Sequence, residues 1–232
     1  MPIDHYGDTE GGGQQDFDRD EYLREERRAE RAIAELFVRA CHTGDVEALR
    51  EAAGRFNECP NAARSAMRKF AREVQVVSPD VRSAFLHIWI ESRMLPLRVG
   101  DHRALCDAGR VLLPSYKGPS VRLFRGAGAP ERRRRIYGLS WSADTAAAER
   151  FAQERRVQDG GSVLLETLAP PEAIIAQIDY PPPFSQDEID EIRRENPSAI
   201  ILDYHQEREY VIDRRYLNRV TVVRRYQQVI RS

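Results

Sequence analysis

Six residues in the second half of the chain are of types and spacings that could handle an anionic substrate: Arg125, Gly126, Ser140, Ser142, Glu207 and Glu209. Arg125-Gly126 closes the apolar run Leu123-Phe124. A guanidinium at the end of a buried strand, beside a residue with no side chain, suits a bidentate grip on phosphate oxygens. Ser140 and Ser142 stand two apart in a strand-like segment, so their hydroxyls face one side and Trp141 the other. Glu207 and Glu209 share one face of a later predicted strand by the same rule. Each piece has a plainer reading. Only Lys69 and Lys117 of the 36 Lys and Arg residues are lysines, so an arginine here is usually a surface charge. Ser-Trp-Ser also reads as a polar strand edge with Trp141 buried. The ordered set is less common than its parts.

These residues need strands to carry them. Residues 121–152 read as an apolar strand, a turn-rich loop holding Arg132-Arg133-Arg134-Arg135, a strand-like segment over 136–142 and a helix launched by Asp144. Strands are predicted over 162–168, 174–180, 200–213 and 219–226, with a short helix over 185–194. Upstream the pattern is helical. One helix runs from residue 17 to a stop at Gly44, and Asp45 caps a second to about 53. Others span 61–76, 79–93 (opened by Ser78-Pro79) and 101–113. Helices first and strands later, without strict alternation, predict an α+β fold rather than a doubly wound sheet. Neither a Gly-x-Gly-x-x-Gly nor a Walker loop occurs, so a nucleotide would have to be held by another device.

Taken together, Leu-Phe-Arg125-Gly, Ser140-Trp-Ser142 and Glu207-Arg-Glu209 followed by Tyr-Val-Ile-Asp resemble the three motifs of the ADP-ribosyltransferase superfamily. The resemblance is to its Arg-Ser-Glu class, which includes cholera-like toxins, clostridial binary toxins and arginine-specific ecto-enzymes. It covers roughly residues 81–231 and departs from the family at Trp141, where a threonine is usual. It implies a split pair of small facing sheets with NAD, as substrate, in the cleft between them, and an N-terminal helical segment in front. By this resemblance Glu209 would stabilise the cation-like ribosyl centre that forms as nicotinamide leaves. Arg125 and Gly126 would meet the pyrophosphate or ribose, with Ser142 beside them, and Ser140 would orient Glu209. Glu207 would accept the proton of the incoming nucleophile. Tyr137 or Phe151 could stack on nicotinamide, although the helical spacing of Phe151 reads as core.

Composition bounds the rest. The chain has 232 residues, 41% hydrophobic and 31% charged, enough for one good core and a small appendage. The expected organisation is an acidic disordered tail over 1–16, a helical region over 17–78 and a catalytic domain over 79–232. Residues 1–30 hold ten Asp and Glu against four Arg, a net of minus six in a chain of net charge −1. Such a leader could restrain a basic surface or simply be solvated. Cys41, Cys59 and Cys106 are odd in number and widely spaced, which points to buried thiols in a reducing compartment and to no metal site. No apolar run approaches a membrane span and residues 1–15 lack a secretory core, so a cytoplasmic chain without a membrane partner is expected. The histidines show no metal spacing, and His205 near the carboxylates reads as a strand residue facing solvent.

The expected function is therefore a toxin- or effector-like mono-ADP-ribosyltransferase acting on a macromolecule, in which setting an inhibitor or antitoxin would be a partner. Glu-x-Glu favours a protein arginine as acceptor by resemblance. The run Arg132–Arg135 makes RNA or DNA a close second, since Arg forks suit phosphates. An NAD glycohydrolase using the same cleft, or a silent binding module on the same fold, are the rival readings.

Overall fold

The computed structural model describes residues 18–59, 61–92, 94–157, 160–178, 190–191, 194–196 and 208–229. The tail expected over 1–16, Glu207, His205, most of the helix expected over 185–194 and the first part of the strand expected over 200–213 lie outside them.

Helices α1 (Arg19–Thr43), α2 (Val46–Gly54), α3 (Ala62–Glu73), α4 (Pro79–Glu91), α5 (Leu95–Val99) and α6 (His102–Leu112) precede the first strand. Local chemistry sets their ends. The Asp18 carboxylate accepts from Asp20 N and Glu21 N, and Gly44 ends α1 at φ 78°. Asp45, Ser78 and Asp101 cap α2, α4 and α6 in the same way. The helices close on Phe37, whose ring lies 5.6, 6.0 and 6.3 Å from those of Phe56, Phe70 and Phe85. Cys41, Cys59 and Cys106 are buried free thiols in this core, and burial pushes Cys41 up to about 12. Ser78, at the expected boundary between 17–78 and 79–232, caps the helix that brings Phe85 onto Phe37.

The strands among the described residues are β1 (Val121–Gly128), β2 (Ser140–Ser142), β3 (Ser162–Ala169), β4 (Ile174–Ile178), β5 (Glu209–Ile212) and β6 (Thr221–Tyr226). Between them lie α7 (Ala129–Arg134) and α8 (Thr145–Glu154). All pairings are antiparallel, in the order β4-β5-β2-β1-β3-β6. The fold is thus mixed helix and sheet, as α+β predicts. Two small sheets were expected; the described residues form one, because β1 and β2 still pair. They do so at a single position, Phe124 opposite Ser142, whereas β1 and β3 pair at all eight residues of β1.

One face of the sheet carries an apolar cluster that includes Leu123, Trp141, Leu165, Tyr210 and Ile212. On the other, Ile175, Ile178 and Val211 join the helical core, and α8 covers β1 and β3. Gly126 allows that last contact: a Cβ there would stand 2.7 Å from the Phe151 carbonyl carbon and closer still to other α8 backbone atoms. The basic segment, expected as a loop, instead begins as a short helix. Pro130 in the first turn, with the Glu131 carboxylate accepting from Gly128 N, starts α7, and Arg135 ends it at φ 53°. Among the described residues no helix is long and apolar enough to cross a membrane.

Candidate active site

A cleft of about 590 Å³ opens on the helix-bearing face of the sheet, between α8 and the α4–α6 side. Its floor follows from register. Ser142 lies opposite Phe124 of β1 on one side and Glu209 of β5 on the other, and directly opposed residues share a face. Three strands therefore present Phe124, Ser142 and Glu209 side by side, and all three line the cleft.

Arg125 reaches the cleft differently. Alternation assigns it to the face of Leu123 and Ala127, and β1 continues three residues past it to Gly128, so it is not at a strand end as expected. Its guanidinium enters where β1 and β2 part. Nη1 donates to the Ser140 carbonyl at 2.6 Å, and Nη2 donates to Glu131 at 3.3 Å. A side chain thus stands in for a ladder bond that the diverging strands no longer make. Gly138 leaves the room, since a Cβ there would stand 2.8 Å from Arg125 Cζ. The Arg125 side chain is 13% exposed, and its Nε is buried with no hydrogen-bond partner. Burial lowers its pKa, with Glu131 and Glu209 opposing and Arg155 reinforcing the shift; an arginine stays cationic under such a shift. Glu131 also pairs with Arg155, so two cations share one carboxylate at the cleft wall.

The serines have specific tasks. Ser140 contributes its carbonyl to Arg125. Ser142, buried in the floor, accepts from Asp144 N at 2.9 Å, and Asp144 accepts from Ala146 N at 2.8 Å to start α8. Gly126 lines the cleft, yet its missing side chain is required by α8, whatever else meets its backbone. Glu209 is the first residue of β5, preceded by Arg208 at φ 39°. The regular alternation expected through Glu207 thus stops at Arg208, and Glu207 lies outside the described residues.

The aromatic expectations divide. Tyr137 packs edge-on against Trp141, with centroids 6.2 Å apart, and is not a cleft residue. Phe151, expected in the core, is 38% exposed and lines the cleft, because α8 buries Ala147, Ala148 and Ala152 instead. Ile136 and Leu97, 47% and 71% exposed, add apolar surface to the cleft.

Sequence reasoning passed over Glu131, Gly138, Arg155 and His102, all brought to the cleft by tertiary contacts. His102 opens α6; burial, then Arg214 and Arg125, push its pKa below the usual value, and its Nδ1 is buried with no hydrogen-bond partner. The end of β5 is tied to α6 by Asp213, fully buried, which accepts from Arg110 at 3.2 Å and from Arg215 Nη2 at 2.7 Å. This tie fixes the strand that carries Glu209 against the helix that carries His102. Among the described residues no group of three His, Cys, Asp or Glu could hold a metal ion.

Comparison of the chain with protein-family models, curated proteins and solved structures returned no match.

Proposed function

We propose that the protein is an NAD-dependent mono-ADP-ribosyltransferase that transfers ADP-ribose to a macromolecular acceptor. The observation that supports the reading most is the register of Ser142, opposite Phe124 and Glu209, by which the Arg125, Ser140–Ser142 and Glu209 segments meet in one cleft. A volume of about 590 Å³ lies in the range of small-molecule sites. The buried Arg125 Nε, without a partner in the structure, is a donor suited to an anionic ligand.

In this reading Glu209 faces positive charge that develops only as the ribose C1′–nicotinamide nitrogen bond breaks. The bonding pair leaves with nicotinamide, a neutral leaving group, and the acceptor's lone pair forms the new bond to C1′ while the acceptor gives up its proton. A carboxylate so placed favours the transition state over the ground state. Arg125 stays anchored to Ser140 and turns its remaining donors to the pyrophosphate. Phe151 and Ile136 supply apolar surface for a flat ring. Glu207 is the proposed base toward the acceptor, by resemblance.

The test is incubation of the protein with labelled NAD and a cell lysate, followed by separate protease and nuclease digestion. Label on a macromolecule, lost in Glu209→Gln, is the expected result. Label recovered only as free ADP-ribose would make it a glycohydrolase, and no NAD turnover at all would reject the reading.

A further inference from the structure

The face of the sheet opposite the cleft holds a second concavity, of about 370 Å³. Leu165 and Val222 contribute its apolar floor, Tyr137 its aromatic wall, and Arg132, Arg133 and Arg135 its cationic lining. The cations extend beyond it. Arg225 of β6 lies opposite Val163 of β3, which puts it on the same face as Leu165, and it is exposed. Arg132, Arg135 and Arg225 make no ion pair among the described residues, whereas the other strand arginines, Arg122, Arg125 and Arg224, have carboxylate partners.

Adjacent guanidiniums repel, and an anionic partner relieves them. The ligand that fits must combine a flat apolar body with an anionic group at its edge. An acidic peptide supplies the charge without the flat body, and a duplex supplies both but keeps its bases stacked inside. A free nucleotide would fill the pocket but leave Arg134 and Arg225, outside it, unused. We infer that this pocket binds one nucleotide of a single-stranded nucleic acid, the base against Tyr137 and the aliphatic floor, and flanking phosphates on Arg132, Arg135 and Arg225. Aromatic surface interleaved with cations along a backbone is how single strands are held without strict sequence preference.

The inference does not rest on the transferase reading, because the assay contains no NAD. Fluorescence anisotropy with a labelled twelve-residue oligouridylate should show binding that weakens steeply with salt, at ~0.7 in log K per log salt for each phosphate contact. Arg132→Ser with Arg135→Asn, on exposed or half-exposed positions and with a residue that tolerates the left-handed backbone at 135, should weaken binding about tenfold or more and flatten the salt slope by more than one. Val222→Glu, which places a carboxylate on the floor, should also weaken binding, measured at a temperature where circular dichroism shows the variant folded. Absence of oligouridylate binding, binding untouched by all three changes, or equal competition by uridine monophosphate or an oligoglutamate would overturn it.

Discussion

The helical unit around Phe37 and the junction between β1 and β2 are built on opposite terms. The first is closed: Phe37, Phe70 and Phe85 are fully buried, and Asp18, Asp45, Ser78 and Asp101 cap the starts of α1, α2, α4 and α6. The second is open. One residue pair joins its strands, a side chain replaces the next ladder bond, and apolar side chains stand partly exposed beside it. Among the described residues the buried side-chain nitrogens left without partners are His102 Nδ1, Arg125 Nε and Arg214 Nη1; two line the cleft and none lies on α1–α4. Buried polar groups are satisfied in the great majority of cases, so the two at the cleft, one from β1 and one from the start of α6, set its lining apart from the Phe37 core.

That contrast can be broken by mutation. Phe37→Ala should produce the largest effect, a loss of about 3–5 kcal/mol in stability by denaturant unfolding, with turnover per folded molecule retained at low temperature. Glu209→Gln should do the reverse, lowering nicotinamide release ~10²–10³-fold with an unchanged melting curve. A variant pair that exchanged these phenotypes would abolish the distinction between the two regions. Gly126→Ala lies between them: its Cβ meets the backbone of α8, and overpacking of this kind costs about 1–3 kcal/mol. It should lower both melting temperature and turnover, whereas lost turnover with an unchanged melt would show that Gly126 serves the ligand alone.

The smallest effect concerns the tie between the two regions. Burial alone would raise the Asp213 carboxyl, but the bonds from Arg215 and Arg110 outweigh it and hold its pKa below the ordinary value. A carboxyl depressed on folding adds stability that is present above its unfolded pKa, near 4, and is lost as pH falls through the folded value. Asp101, held down by its bonds from Ala104 N and Arg68, acts in the same direction. The denaturant midpoint should therefore drop as pH falls below about 4, and Asp213→Asn should flatten the drop. Parallel curves for wild type and variant would assign the acid sensitivity to other groups.

Much of the closed region could be read along the chain, because its determinants are local. Gly44 stops α1, Asp45 and Ser78-Pro79 start the next helices, and Asp144 starts α8. The short helices α5 and α7 escaped because five or six residues carry too little periodicity against Pro and Arg-rich composition. At the junction, residue types were legible and arrangement was not. Arg125 was singled out, but its partners Ser140, Glu131 and Gly138 are set by the divergence of two strands, which no local pattern encodes. Phe151 was assigned to the core by helical spacing, yet three alanines occupy that face. His102 carries no motif and reaches the cleft only because α6 docks against β5 through Asp213.

The bond from Arg125 to the Ser140 carbonyl makes position 125 pleiotropic. A ligand that draws on this guanidinium borrows a group already employed as a strut, so occupancy and rigidity of the junction are coupled through one side chain. Lysine offers charge but no planar fork to reach a carbonyl, a carboxylate and an anion together. Under the proposed function, substitution at 125 would remove a support and a ligand contact in one step, and selection for either task would preserve the same residue.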